Sequence, residues 1–358
     1  MSGKINIRWR EFIPDGGGRR ECFCSAEAEP GAFSDFSSEF EALWSAYNAK
    51  LAAEGLAPDK ELLLRFHLSD AANQGALLRE TLGYRRPASV TEQPPAAGTR
   101  VSLEAWILAG AERRVRVEYS PVVTQGDSEA QMYAEFRALA GKVTETGGEL
   151  DRNVLRTWIY CRDVDNNYAG VVKGRNRCFD EHGMTERYLA STGIGGGTDE
   201  PHQLVAMDAL VRHGRPPEQT PLRALENLSP TALYGVRFER GMRVGWRDRD
   251  WLLVSGTASI DKHGNVLYVG DVGEQCRRVL DNISALLEEG GATLADVRAA
   301  TVYLRDPAEL ATVKAAFDAA FPDIPLVYLR APVCRPTWLV ECECIAARPA
   351  DHPTAPEL

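Results

Sequence analysis

Apolar side chains recur every three or four residues in three separate stretches of the chain, and this spacing predicts three amphipathic helices. The clearest stretch comprises Cys276, Val279, Leu280, Ile283, Leu286 and Leu287. The second comprises Phe40, Leu43, Trp44, Tyr47 and Leu51, and a weaker third comprises Tyr133, Phe136, Ala140 and Val143. A glycine follows each stretch and suits a left-handed C-cap, where a side chain would be strained.

The segment that follows each predicted helix is similar in all three places, so the chain contains an internal repeat. It reads AAEGLAPDKELLLRFHLSD up to Asp70, ETGGELDRNVLRTWIYCRD up to Asp163, and EEGGATLADVRAATVYLRD up to Asp306. A second helix is predicted after each aspartate, over 71–80, 166–180 and 307–320. Each repeat is predicted to close with a strand, at 100–109, 202–210 and 338–346, and to open with a hairpin, at 4–26, 114–123 and 232–260.

The order of elements is therefore β-β-α-β-α-β, with an optional further strand, repeated three times. A sheet that carries helices on one face is an α+β architecture. We expect a diverged first unit over 1–112, a second unit over 113–222, a C-terminal catalytic unit over 223–348 and a tail over 349–358. The second boundary is predicted to be a linker because it is rich in proline, with Pro216, Pro217, Pro221 and Pro230.

Composition and charge narrow the classes of function. The 358 residues are 44% hydrophobic and 26% charged, with a net charge of −10. Proteins that bind nucleic acid normally have a basic balance, so nucleic acid is not an expected partner. No apolar run is long enough to span a membrane, and the N-terminal residues lack the apolar stretch of a signal peptide, so a cytoplasmic protein is expected.

The cysteines and histidines do not form a recognisable metal motif. Eight cysteines include no C-x-x-C pair, and six histidines include no HExxH. The two C-x-C pairs, Cys22 with Cys24 and Cys342 with Cys344, lie in strand-like stretches where side chains two apart share a face. We predict buried free thiols there, with a zinc site as the alternative.

The closing strands differ at one informative position. Aligning Val101, Val205 and Val340 places Ser102, Ala206 and Glu341 next, and then Glu104, Asp208 and Glu343 two residues later. The second acidic position is common to all units and is predicted to be architectural, for example by pairing at a unit interface. The first of these two positions, that of Glu341, carries an acid in the third unit alone. Glu341 and Glu343 share a strand face, opposite the cysteines, and a buried carboxylate there is either paired or has a raised pKa. A raised pKa is what a general acid near neutral pH requires.

Three further segments are candidates for binding a ligand. The loop YLRAPVCRPTW before the last strand contains Arg330, Cys334 and Arg335. The equivalent loop of the second unit, YLASTGIGGGTDEP, contains Thr192 and a glycine run, which is either flexible or brings backbone N–H groups to an anion. The segment GRNRCF contains Arg175 and Arg177, which are either surface residues or ligands for a carboxylate.

These residues carry a resemblance to known families. Over VSGTASIDKHGN and the following helix, and again over VECECIAA, the third unit resembles the RidA/YjgF family. That resemblance implies homotrimers with ligand sites in the clefts between subunits. Three units in one chain therefore imply a monomeric pseudo-trimer with internal clefts.

More narrowly, the motifs NVLRTWIYCRDVDNNYAGVVKGRNRCFDEHG, RYLASTGIGG, VSGTASI and CRPTWLVECE resemble the chorismatases. The resemblance implies chorismate as the substrate, loss of pyruvate without a cofactor, Glu341 as the catalytic carboxyl group and Arg330 as a ligand for a substrate carboxylate. It also implies that this chain, which has Cys334 seven residues before Glu341, is a chorismatase of the type that forms 3-hydroxybenzoate. The further residues expected to contact the substrate are Tyr160, Tyr168, Thr192, Gly193, Ala258, Arg335, Arg175 and Arg177.

Other functions remain open at this point. Chorismatases of another type hydrolyse chorismate to a dihydroxycyclohexadiene carboxylate. A plain RidA-type protein is an enamine or imine deaminase, and a pseudo-trimer that binds a ligand without catalysis is a third alternative. The acid at Glu341, which arises in one unit only, favours catalysis.

Overall fold

The computed structural model describes residues 4–15, 17–83, 86–110 and 114–358. It is an α+β protein of three sheets, each carrying its long helices on one face, as predicted. The predicted boundary at 112 falls outside the described residues. None of the helices within these ranges combines the length and the apolar character that crossing a bilayer requires.

The first unit contains a five-stranded sheet in the order β1-β2-β5-β3-β4, in which only β3 and β4 run parallel. Its elements are β1 (Ile5–Phe12), β2 (Glu21–Ala28), α1 (Phe36–Ala53), β3 (Glu61–Leu68), α2 (Ala71–Leu82), β4 (Ser89–Glu92) and β5 (Val101–Leu108). The predicted opening hairpin, helices and closing strand are all present.

The second unit has a four-stranded sheet in the order β6-β9-β7-β8. Its elements are β6 (Val115–Tyr119), α3 (Ser128–Glu145), α4 (Leu150–Asn153), β7 (Val154–Cys161), α5 (Val164–Glu181), β8 (Ala190–Gly195) and β9 (Val205–Arg212). The hairpin predicted over 114–123 is wrong, because β6 ends before Pro121 and has no returning strand. Proline lacks the N–H group that a continuing ladder needs.

The third unit has a six-stranded sheet in the order β10-β11-β12-β15-β13-β14. Its elements are β10 (Glu218–Leu222), β11 (Gly241–Gly245), β12 (Arg249–Ala258), α6 (Val272–Glu289), β13 (Val297–Leu304), α7 (Leu310–Ala320), β14 (Leu326–Arg330) and β15 (Val340–Pro349). The proline-rich stretch predicted as a linker contains β10, so that prediction is wrong there. β10 is an edge strand, where the missing N–H of Pro221 is tolerated. The hairpin predicted from residue 232 begins at Gly241, after a 3₁₀ turn over Thr231–Tyr234.

The same local signals start and end the long helix of each unit. An aspartate precedes each helix and accepts a hydrogen bond from a backbone N–H of the first turn: Asp35 from Ser38, Asp127 from Ala130 and Asp271 from Glu274. Gly55, Gly147 and Gly291 follow the helices with positive φ, as a left-handed C-cap requires. The repeat in the sequence is therefore a repeat of helix boundaries.

The faces of the three sheets that carry no helices meet in the interior. Trp106 of the first unit packs edge to face on Trp251 of the third, with ring centroids 4.5 Å apart. Where these faces meet, an acid from each closing strand accepts a hydrogen bond from a neighbouring unit: Glu104 from Thr301 (2.9 Å), Asp208 from Arg65 (3.1 Å) and Glu343 from Trp158 (2.8 Å). We call these six residues, with Arg156 and Tyr160, the central polar ring. The predicted interface role of the second acidic position is confirmed, and the arrangement is compatible with a pseudo-trimer in one chain.

Candidate active site

Glu341 lies on β15 between β12 and β13, and its side chain points away from the helices. Cys342 and Cys344 point the other way into the core, as the alternation predicted. The Glu341 side chain is only 4% exposed. Burial, together with the neighbouring negative charge of Glu343, raises the pKa of Glu341 to about 8, against a lowering by Arg240.

A β-bulge next to Glu341 shapes one wall of its surroundings. The pairing of β12 with β15 shifts register between Val254 and Thr257, which leaves Ser255 and Gly256 unpaired with β15. A methyl group at Gly256 would overlap the Glu341 carboxyl group and come within 3.1 Å of the Thr192 methyl carbon. Glycine at this position lets the backbone approach the acid, which few other residues permit.

The Glu341 carboxyl group opens into a pocket between the second and third units. The pocket holds about 540 Å³ of space, part of it open to solvent, which is within the range of small-molecule sites. From the second unit it is lined by Tyr168, Arg175, Ser191 and Gly193. From the third unit it is lined by Val236, Phe238, Arg240, Gly256, Ala258, Ile260, Cys334, Arg335, Trp338 and Glu341.

Arg175 brings a buried positive charge to this pocket. Its side chain lies on α5 and the residue is only 3% exposed, yet no described residue accepts a hydrogen bond from its Nε or Nη2. Burial lowers the pKa of Arg175 from its ordinary value. Burying a guanidinium group without an acidic partner lowers the stability of a protein by roughly several kcal/mol, unless a ligand supplies the opposite charge. Arg175 is therefore the strongest candidate to bind an anion.

Cys334 is a neutral thiol that also lines the pocket. Burial and the Glu341 carboxylate raise the pKa of this thiol to about 12, while a hydrogen bond with Tyr168 lowers it. The Tyr168 hydroxyl is itself buried, and burial raises its pKa well above the ordinary value. The site thus contains three weak acids, Glu341, Cys334 and Tyr168, around one space.

Seven of the eleven residues predicted for the site line the pocket: Glu341, Cys334, Arg335, Arg175, Tyr168, Gly193 and Ala258. Thr192 lies just behind the wall, where its Oγ1 accepts hydrogen bonds from Arg156 and from the Gly256 N–H. Its side chain supports the pocket and does not face it.

The remaining three predicted residues lie elsewhere. Tyr160 is in the central polar ring, where its hydroxyl donates to Asp208 at 3.1 Å. Arg330 is exposed at the end of β14, and its backbone N–H donates to the carbonyl oxygen of Pro94 in the first unit. Arg177 is exposed, stacks on Tyr133 and pairs with Glu181, since it projects from the outer face of α5.

Sequence reasoning missed several residues of the pocket, notably Arg240 and Trp338. Arg240 immediately precedes β11 and donates to Ser229. The Trp338 indole N–H is buried, and none of the described residues accepts its hydrogen bond. Trp338 was visible in the CRPTW motif, but nothing local to the sequence marks Arg240.

All eight cysteines are free, as predicted, and only Cys334 is partly exposed. Across the described part of the chain, no three His, Cys, Asp or Glu side chains come together in a way that could hold a metal ion.

Comparison with known proteins places this site in a family. The Endoribonuclease L-PSP family model matches residues 238–348. The chain is 28% identical to a 3-hydroxybenzoate synthase of Streptomyces hygroscopicus over 313 residues, which cover 74% of this chain and 91% of the relative. A RutC family protein of Pyrococcus abyssi is 33% identical over 111 residues, covering 30% of this chain and 84% of that protein.

Among solved structures, that of a chorismatase has a TM-score of 0.62 at 20% identity and covers 96% of this chain and 98% of its own. The fold of this chain is therefore that of the chorismatase structure. Because the chain is 33% identical to a RutC family protein over 84% of that protein's length, it belongs to the RutC family.

Proposed function

We propose that this protein is a chorismatase that converts chorismate to 3-hydroxybenzoate and pyruvate, with Glu341 as the general acid. The observation that carries the proposal is the buried Glu341 carboxyl group, whose pKa burial raises to about 8, in a pocket also lined by Arg175, whose Nε and Nη2 donate to no described residue. Such a carboxyl group is mostly protonated at neutral pH, so it has a proton to give.

Protonation is the step that an enol ether needs. A proton added to the enolpyruvyl methylene of chorismate gives an oxocarbenium ion and turns the methylene into the methyl group of pyruvate. The bond between the ether oxygen and the ring then breaks, and pyruvate leaves. The oxygen of the neighbouring ring hydroxyl moves, through an arene oxide, to the carbon that pyruvate left. The ring becomes aromatic with the net loss of one proton, which gives the 3-hydroxy product. The two products together contain all the atoms of chorismate, so the overall reaction needs no external oxidant or reductant.

The pocket also has the charge that the substrate requires. Chorismate carries two carboxylates, and Arg175, Arg240 and Arg335 bring three guanidinium groups to one space. Arg175 lacks an acidic partner among the described residues, so a substrate carboxylate would supply the missing charge. The Trp338 indole N–H is a further donor in the same wall.

The similarity to a 3-hydroxybenzoate synthase supports this product, since it extends over most of both chains. Cys334 is the residue we propose to direct the product. Its thiol is protonated at neutral pH and lies in the same pocket as Glu341, so it can give or take a proton during aromatisation. We also propose that the chain works as a pseudo-trimer without a cofactor.

The test is to incubate the purified protein with chorismate and separate the products by chromatography against standards. We expect 3-hydroxybenzoate and pyruvate in equal amounts from the wild type. Glu341→Gln should reduce turnover by roughly 10²- to 10⁴-fold, because the amide has no proton to transfer. Glu135→Gln is the matched control, since Glu135 is a buried glutamate of raised pKa that does not line the pocket.

The same assay examines the thiol. Cys334→Ala should change the ratio of products, whereas Cys344→Ala, which removes a buried thiol on the helix side of β15, should not. Chorismate left intact by the wild type would contradict the chorismatase proposal. A dihydroxycyclohexadiene carboxylate as the main wild-type product would retain the substrate but contradict the assignment of 3-hydroxybenzoate.

A further inference from the structure

A single buried arginine behind the pocket connects its parts. Arg156 lies on β7 of the second unit and is completely buried. It does not line the pocket. Its guanidinium nevertheless donates to three different groups behind the pocket wall: to the Val254 carbonyl oxygen at 3.0 Å, to Thr192 Oγ1 at 2.8 Å and to Glu343 Oε2 at 2.6 Å.

Two of these contacts hold the β-bulge next to Glu341. Val254 is the last paired residue before the bulge, and Arg156 fixes its carbonyl group. Thr192, oriented by Arg156, accepts the N–H of Gly256 at 2.9 Å. Because Gly256 touches the Glu341 carboxyl group, the position of this backbone sets the space that the acid occupies.

The third contact gives the two glutamates of β15 different hydrogen-bond partners. Glu343 receives the Arg156 ion pair and the Trp158 indole N–H, so both of its oxygens are bound. No described residue donates a hydrogen bond to the Glu341 carboxyl group. Arg156 thus pairs with Glu343, the acid that does not line the pocket, and not with Glu341.

We propose that Arg156 is a positioning residue: it holds the 254–257 bulge against Glu341 and ties up the Glu343 carboxylate in an ion pair, so that Glu341 alone is left to act on the substrate. The proposal deepens the proposed function and rests on it for the identity of the substrate. The groups that face Glu341 are Glu343 on its own strand, Arg240 before β11, Cys334 in the preceding loop and Tyr168 on α5.

Arg65 provides a matched control. It is a buried arginine of the same central polar ring, and it pairs with Glu104 and Asp208 as Arg156 pairs with Glu343. The strands that carry those two acids have Ser102 and Ala206 where β15 has Glu341. A substitution of Arg65 therefore disturbs packing of the same kind without a catalytic acid beside it.

The experiment compares Arg156→Lys, Glu343→Gln and Arg65→Lys in chorismate turnover as a function of pH. Lysine keeps the charge but cannot reach all three acceptors, so Arg156→Lys should lower kcat roughly ten- to a hundredfold, with a smaller change in KM. Glu343→Gln removes the neighbouring negative charge. The pH above which activity is lost should then fall by about one unit, because the acid form of Glu341 is abundant only below its pKa.

Arg65→Lys should lower stability and leave both kcat and the pH profile unchanged. The proposal is overturned if Arg156→Lys and Glu343→Gln, correctly folded, keep the wild-type kcat and pH profile. It is equally overturned if Arg65→Lys reduces kcat as much as Arg156→Lys, because the effect is then one of packing.

A second readout does not depend on the substrate. The protonated carboxyl group of Glu341 can be followed by infrared difference spectroscopy, with the band assigned by its loss in Glu341→Gln. Its titration should move to lower pH in Glu343→Gln and stay in place in Arg65→Lys. Arg156→Lys, which weakens the ion pair of Glu343, should move the same titration to higher pH. If the wild type does not consume chorismate, the proposed function fails, while this titration in Arg156→Lys still tests the role of Arg156.

Discussion

Two glutamates on the same face of one strand have different environments. Glu343 is held by Arg156 and Trp158, and Glu341 faces the pocket. Both residues are glutamates on one face of the same strand, so the difference comes from the residues that each one contacts across the interface between units. Pairs of acids whose surroundings separate their pKa values are a frequent device of acid–base catalysis.

The buried state of Glu341 predicts how stability depends on pH. Its pKa rises on folding from an ordinary 4.5 to about 8, so folding takes up a proton between these values. This contribution to stability is complete below the unfolded pKa and is lost as the pH rises towards 8. Glu341→Gln should therefore behave like the wild type at pH 5 and be more stable at pH 9, by up to several kcal/mol at about 1.4 kcal/mol per pKa unit. Urea denaturation at the two pH values measures this, and equal differences at both would contradict the raised pKa.

A substitution of Arg175 is predicted to raise the stability of the free protein and to weaken its binding of the substrate. Removing an unpaired buried cation should stabilise the free protein, by about 1 kcal/mol or more for Arg175→Met. The same change should raise KM for chorismate and abolish any stabilisation by 3-hydroxybenzoate in thermal denaturation. Arg177→Met, on the exposed face of the same helix, should change neither quantity. A destabilised Arg175→Met protein that still binds normally would show that the arginine is structural.

At the scale of elements, the bulge of β12 shapes the site more than any regular strand does. It brings a backbone N–H to Thr192 and a glycine to the acid. A regular ladder would continue the pairing past Val254 and would alter the contact between Gly256 and Glu341.

Gly256→Ala tests the close approach of the bulge to the acid. The added methyl group overlaps the Glu341 carboxyl group, so we expect a loss of turnover of about a hundredfold or more and a stability loss of roughly 1–3 kcal/mol. Gly141→Ala is the contrast, because that glycine lies inside α3 with open space around it. It should stabilise the protein by roughly 0.5–1 kcal/mol and leave turnover intact. Full activity in Gly256→Ala would contradict the described wall.

At the scale of the whole molecule, the three units share a polar centre that none of them completes alone. Each closing-strand acid accepts a hydrogen bond from another unit, and the tryptophans of the inner faces pack on one another. Separating the units would leave charges without partners, which is costly in a buried site.

Arg65→Met tests this dependence between units. It leaves Glu104 and Asp208 without their shared cation, and we expect a loss of about 3–5 kcal/mol in the free energy of unfolding. Burial raises the pKa of Glu104, but Arg65, His67 and the Thr301 hydrogen bond together lower it to well below the ordinary value. The variant should consequently lose less stability in acid, where protonation of this carboxyl group removes the unpaired charge. Urea denaturation at pH 4.5 and pH 7.5 makes the comparison, and a loss independent of pH would argue for packing alone.

Much of this architecture could be predicted from the sequence because it depends on neighbours along the chain. Helix periodicity, the aspartate before each long helix and the glycine after it lie within a few residues of one another. Strand alternation likewise placed Glu341 and Glu343 on one face and Cys342 and Cys344 on the other. The missing second strand of the 114–123 hairpin and the edge strand in the proline-rich stretch show the limit, because pairing partners are chosen by the rest of the sheet.

Alternation along a strand fixes the face of a side chain but not what lies opposite it. The sequence by itself therefore determined that β15 carries two acids towards the interior, and that the third unit alone has an acid at the first position. Only the tertiary structure decided that Arg156 pairs with Glu343 and that Arg175, and not Arg330, lines the pocket. Those partners come from different units, whose contacts depend on how three sheets pack and not on spacing within any one of them.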